Sequence, residues 1–171
     1  MKNLAKILGT AALVMGLVAT ARPAATGSGA EALEKLKALV GHWEQQQTSA
    51  AKATLDIQLT SGGSVVLERS SMMAEGQPVE MITLYYLDGD QIKMTHYCIA
   101  GNQPTMQGTY APETKTLTFH FVGATNLKSA DDGHMHHAVY TFLDRDHLRQ
   151  VWTFQKNQKD AFSEDLTYVR K

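Results

Sequence analysis

From Thr54 to the C-terminus, apolar and polar positions alternate with a period of two. "ATLDIQLT" sets Leu55, Ile57 and Leu59 against Thr54, Asp56 and Gln58. An extended backbone turns successive side chains to opposite faces, so this period predicts strands with one face inward. "SGG" turns the chain into "SVVLERSSM". "VEMITLYYL" and "QIKMTHYCI" then flank "DGD", where Gly89 tolerates the positive φ of a tight hairpin. "TMQGTY" and "TLTFHFV" flank "APETK", "HMHHAVYTFL" and "HLRQVWTFQ" flank "DRD", and "AFSEDLTYV" closes the chain. With "HWEQQQT" included, the pattern predicts about ten short strands.

One helix precedes them. In "EALEKLKALVG", Leu33, Leu36 and Val40 recur at helical spacing and form one apolar stripe, and Gly41 suits the stop. No later segment is long enough for a crossover helix, which excludes a parallel sheet. An antiparallel meander of this length curls, and closure removes its exposed edges. The expected architecture is therefore all-β: a single antiparallel up-and-down barrel with one short N-terminal helix that plugs or flanks one end. A barrel of eight to ten strands encloses space of ligand size. The longest irregular stretch is the polar loop "GATNLKSADDG".

The first 21 residues fall outside this pattern. Lys2 and Lys6 precede the apolar run "ILGTAALVMGLVA", and "ATA" at 19–21 supplies the small residues a signal peptidase reads. The run is short for a membrane span and is followed by "RPAATGSG". This predicts a signal peptide over 1–21, a flexible segment over 22–29 and a barrel domain over 30–171. The mature protein is then periplasmic or secreted, with no stable membrane span after signal removal. No cysteine lies near the cut, so a lipid anchor is not expected.

About 150 residues remain, enough for one domain with one core. Hydrophobic residues make up 43% and charged residues 19%, a globular balance. Removing Lys2 and Lys6 leaves 14 basic against 17 acidic residues. No basic stripe remains to displace counterions from a phosphate backbone, which argues against nucleic acid as a partner. The single cysteine, Cys98, has no internal disulfide partner. Burial as a small hydrophobe is its first reading, and a free reactive thiol its second.

The hairpin at "DGD" sets the facing of its two strands. A two-residue turn at Asp88-Gly89 or Gly89-Asp90 places Met81, Thr83, Tyr85 and Leu87 on one face with Ile92, Met94, His96 and Cys98. Glu80 and Lys93 mark the other face as outer. The interior lining expected from this pattern is Tyr85, Met94, His96, Cys98, His136 and Trp152. In "GHMHH", His134 and His136 share a strand face. Two such histidines with His96 as a third would form an open metal site. His42, His120 and His147 read as surface or turn residues. Asn102 and Gln103, in "GNQP", read as turn residues that can also rim the barrel mouth. Glu68 and Arg69 lie on opposite strand faces, and an inward Arg69 would pair with a ligand carboxylate.

A short helix, then "LVGHWE", then an antiparallel meander resembles the calycin group of lipocalins, fatty-acid-binding proteins and nitrobindin-like barrels. The string "YLDGD…THYC…GNQP…HMH…DRDHL…W" is similar to exported bacterial lipocalin-like proteins that are uncharacterised. The likeness covers roughly residues 33–169. Nitrobindin-like barrels carry further glycines after the tryptophan, where this chain has "EQQQ", so haem chemistry is not carried over. The resemblance implies a barrel that binds a small apolar or amphipathic molecule. No resident cofactor and no catalytic residue is assigned. Two alternatives stay open: a histidine-dependent enzyme, with or without a metal-bound water, and a structural barrel filled by its own side chains.

Overall fold

The computed structural model describes residues 26–46, 52–74 and 76–171. The expected signal peptide and residues 22–25 lie outside them. Helix α1 spans Gly29–Lys37. Ten strands follow: β1 Gly41–Gln45, β2 Thr54–Thr60, β3 Val65–Ala74, β4 Gln77–Asp88 and β5 Gln91–Tyr97. The rest are β6 Gln103–Ala111, β7 Thr116–Thr125, β8 His134–Phe142, β9 His147–Lys156 and β10 Lys159–Arg170. Each strand pairs antiparallel with the next, and β1 pairs with β10 to close the barrel. Every neighbour is a sequence neighbour apart from that closure, which is the up-and-down topology the alternation predicts.

Ser28 caps α1 by accepting a hydrogen bond from the Glu31 backbone N–H at 3.1 Å. The helix ends at Lys37, short of the expected stop at Gly41. Its buried stripe is Ala32, Leu33 and Leu36, continued by Leu39 beyond the helix end, while Val40 is exposed. Gly41, at φ 140°, instead turns the chain from the helix into β1, in a conformation other residues avoid. At the other end of α1, the Gly27 N–H donates to the Tyr110 carbonyl at 2.9 Å. Contact with the barrel therefore begins before residue 30.

The helix packs across β3–β6 and covers the barrel end that carries the β4–β5 turn. Arg170 on β10 fixes this end. Its guanidinium lies 4.2 Å from the centre of the Trp43 ring and donates to the Ala38 and Val40 carbonyls at 2.8 and 2.7 Å. Trp43 is fully buried, and its indole N–H donates to the Leu39 carbonyl at 2.8 Å. Leu36, Tyr85, Phe119 and Tyr140 belong to the same buried core.

The register agrees with the facing read from the hairpin. Asp88 pairs with Gln91, Tyr85 with Met94, and Thr83 with His96. Thr83, Tyr85, Ile92, Met94 and His96 are buried. On the outer face, Lys93 pairs with Asp88, and Glu80 with Arg69. Among the described residues, no helix is long and apolar enough to cross a membrane.

Candidate functional site

Strand β3 alternates strictly. Val66, Glu68 and Ser70 are buried, while Arg69 lies outside in an ion pair with Glu80. The inward ionisable group is therefore Glu68, not Arg69. The β3–β4 register puts Glu68 opposite Thr83, on the face that carries Tyr85.

Glu68 is 2% exposed and anchors a polar chain that spans the barrel. The Tyr85 hydroxyl donates to Glu68 Oε2 at 3.1 Å, and the Gln150 amide donates to the same oxygen at 3.0 Å. Tyr85 and Tyr140 hydroxyls are 2.6 Å apart. Since the Tyr85 proton goes to Glu68, Tyr140 is the donor in that pair. The Trp152 indole N–H donates to Gln150 Oε1 at 3.3 Å. All partners of the carboxyl are neutral, so nothing offsets the loss of water around its charge. Burial pushes Glu68 from its ordinary 4.5 up to about 7, and the hydrogen bonds from Gln150 and Tyr85 pull the other way.

His96, on β5, faces the same space and is 3% exposed. Its ring packs against Trp152 at 4.9 Å, and Nδ1 is 2.9 Å from the Thr83 hydroxyl. Nε2 is buried and has no hydrogen-bond partner. Burial lowers His96 to about 4, so the imidazole is neutral at physiological pH.

Glu68, Ser70, His96, Gln150, Trp152 and Tyr168 surround an inner cavity of about 20 Å³, room for one water-sized group. Met72, Met81 and Met135 form a collar beyond it, and the same three residues floor a recess of about 630 Å³. This recess opens at the barrel end opposite α1. Val79, Cys98, Ile99, Phe154 and Phe162 line it further out. Phe154 and Phe162 stack with ring centres 5.0 Å apart. Ile99 and Phe162, about half exposed, carry the apolar surface onto the rim. Methionine collars deform readily, because the unbranched thioether has several accessible rotamers.

Of the expected lining residues, the structure brings His96 and Trp152 to the inner cavity and Cys98 to the outer recess. Tyr85 and Met94 are packed in the core and line neither space. Cys98 is half-buried, and burial pushes its thiol up, away from the thiolate form a nucleophile needs. His136 also lines neither space. The β8–β9 register slips between Met135 and His137, leaving His136 as the extra residue of a bulge. Met135 takes the inward position instead.

His134 and His136 do meet, with Nε2 of one 3.3 Å from Nδ1 of the other. Phe121 covers both rings, at 4.5 and 5.2 Å. His134 Nδ1 donates to the Asp132 carbonyl at 2.9 Å, which leaves its Nε2 to accept from His136. Among the described residues, no three histidine, cysteine or carboxylate side chains gather as a metal would require. His96 therefore stands apart from this pair. Asn102 donates to the Gly133 carbonyl at 2.8 Å and ties the β5–β6 turn to the β7–β8 loop. His42 and His147 pair with Asp56 and Asp144 near the surface.

Sequence reasoning put Met81 on the inward face but left out Met72, Met135, Glu164 and Phe162, and it weighed Glu68 only as the counterpart of Arg69. The alternation in "SVVLERSSM" put Glu68, Ser70 and Met72 on one face. The choice of face needed the β3–β4 pairing.

Compared with known proteins, the chain matches no family model and no curated protein. The closed ten-strand barrel is consistent with a calycin-like fold.

Proposed function

We propose that this is an exported barrel that binds an amphipathic small molecule, with the apolar body in the open recess and the polar head at Glu68 and His96. The supporting observation is the polarity gradient across two neighbouring spaces that share Met72, Met81, Met135 and Glu164 in their walls. A recess of about 630 Å³ with mostly apolar walls is floored by three methionines, and the small cavity on their inner side holds a carboxyl group and an imidazole nitrogen without a partner. That volume lies in the range of ordinary small-molecule sites, which are mostly apolar with a few convergent polar groups. It weighs against the filled-barrel alternative.

The acid–base alternative draws on Glu68, raised to about 7 beside a neutral imidazole. Such a pairing can run proton transfer. The inner cavity, however, admits one water-sized group and not a substrate, which favours binding.

Titration with the neutral apolar fluorophore N-phenyl-1-naphthylamine tests the reading. Saturable uptake of one probe per chain is expected. Absence of saturable uptake refutes a binding recess. Export is tested separately by N-terminal sequencing of protein recovered outside the cytoplasm, with a start near Arg22 expected. Recovery only in a membrane fraction, starting at Met1, refutes it.

A further inference from the structure

The ligand's head group can be read from the hydrogen-bond capacity of the inner cavity. The Glu68 hydrogen bonds from Tyr85 and Gln150 both end on Oε2, so Oε1 accepts neither. Ser70 spends its proton on the Met81 carbonyl at 3.5 Å, which leaves its oxygen as an acceptor. The Thr83 hydroxyl lies 2.9 Å from His96 Nδ1, and with Nδ1–H donating to it the partnerless Nε2 carries a lone pair. The Gln150 amide and the Trp152 indole N–H are already engaged. The Tyr168 hydroxyl can act either way. The cavity is thus rich in acceptors and poor in donors.

Its charge has the same sign. Glu68 lies at the inner end, and Glu164 borders both the inner cavity and the outer recess. No lysine or arginine lines either space among the described residues. A fatty-acid carboxylate placed there would face two carboxyl groups with no cation to bind it, because Arg69 is outside in its pair with Glu80.

We propose that the barrel selects amphiphiles with a primary amine head, the ammonium occupying the inner cavity between Glu68 and His96 and the hydrocarbon lying in the methionine- and phenylalanine-lined recess. This rests on the binding reading above. An ammonium has the bulk of a water molecule, so it fits a space of about 20 Å³. Its three N–H donors match the three free acceptors, Glu68 Oε1, Ser70 Oγ and His96 Nε2. A water molecule in the same place satisfies two of them and leaves the carboxylate charge uncompensated. A trimethylammonium head offers no donor and exceeds the space.

The test is competition of dodecylamine, dodecanol and dodecanoate against N-phenyl-1-naphthylamine at about pH 8, each below its micelle concentration, with wild type and Glu68→Gln. For wild type, the amine should bind about tenfold more tightly than the alcohol, and the carboxylate more weakly than either. In Glu68→Gln the amine-to-alcohol ratio should fall towards one, with melting temperature confirming the fold. Dodecanoate equal to or tighter than dodecylamine overturns the amine proposal and leaves the binding reading in place. An amine preference that survives in Glu68→Gln also overturns it, since surface charge then accounts for the effect. If the probe itself does not bind, the binding reading fails and the amine proposal falls with it.

Discussion

Glu68 and Gln150 lie 82 residues apart in the chain and 3.0 Å apart across the barrel, amide to carboxyl. The contact joins β3 to β9 through the interior and supplies the buried carboxyl with one of its two donors. No cation accompanies it, so the fold carries the cost of this charge whenever Glu68 ionises.

That cost gives a signed pH prediction. A carboxyl raised from 4.5 to about 7 holds its proton more tightly in the fold than in the unfolded chain. Stability is therefore unaffected below about pH 4.5, is lost as pH rises towards 7, and then levels off. Tyr85, Tyr140 and Tyr168 face Glu68 but are pushed upward, so they stay protonated throughout this window. His96 and Glu164 border the same cavity. Because His96 has an opposing profile, the useful quantity is the difference between Glu68→Gln and wild type. Urea denaturation should show the variant equal to wild type near pH 4.5 and more stable by up to about 3 kcal/mol above pH 7. A difference that does not change with pH would show that Glu68 titrates at its ordinary value.

His96 gives the opposite sign. Burial lowers it from 6.5 to about 4, so the fold resists its protonation. This group costs nothing above about pH 6.5, and stability falls as pH drops from there to 4. Nitrogen-15 NMR of the imidazoles should show the His96 shifts constant between pH 8 and pH 5. Titration near 6.5 would place the ring in contact with solvent.

Cys98 borders the outer recess without belonging to the fully buried core. Cys98→Trp should fill part of the recess, lower probe affinity about tenfold or more, and leave the melting temperature within a few degrees. A collapse in stability would show a site with no room, where overpacking typically costs about 1–3 kcal/mol. Unchanged probe affinity would place the side chain outside the recess.

Gly29 occupies the first turn of α1, where alanine ordinarily stabilises a helix by about 0.5–1 kcal/mol. Here the sign should reverse. A Cβ at this position would stand 2.2 Å from the Asp90 carbonyl oxygen and 2.9 Å from the Ile92 nitrogen. Both are backbone atoms of the β4–β5 hairpin and cannot swing aside. Gly29→Ala should therefore lower the melting temperature by loosening the helix from the barrel. A raised melting temperature would mean that the helix does not dock this closely.

Period-two alternation after Thr54 and hairpin-length links were enough to read ten antiparallel strands and a closed barrel, because facing and turn length are local properties of an extended chain. The "DGD" turn likewise made the facing of Thr83, Tyr85, Met94 and His96 legible, since a two-residue loop fixes register on both sides of itself. The helix was legible in kind but not in length. Val40 continued the apolar spacing, yet the chain leaves the helix at Lys37 so that Trp43 can enter the barrel under Arg170. Contacts made across the interior were not legible. Glu68 meets Gln150 and His96 meets Trp152 only after closure, and no local pattern records which strands face one another through a barrel. The bulge at His136 was hidden for a related reason. One extra residue in β8 reverses the facing of everything before it, turning Met135 inward in place of a histidine, and that slip is set by the pairing with β9.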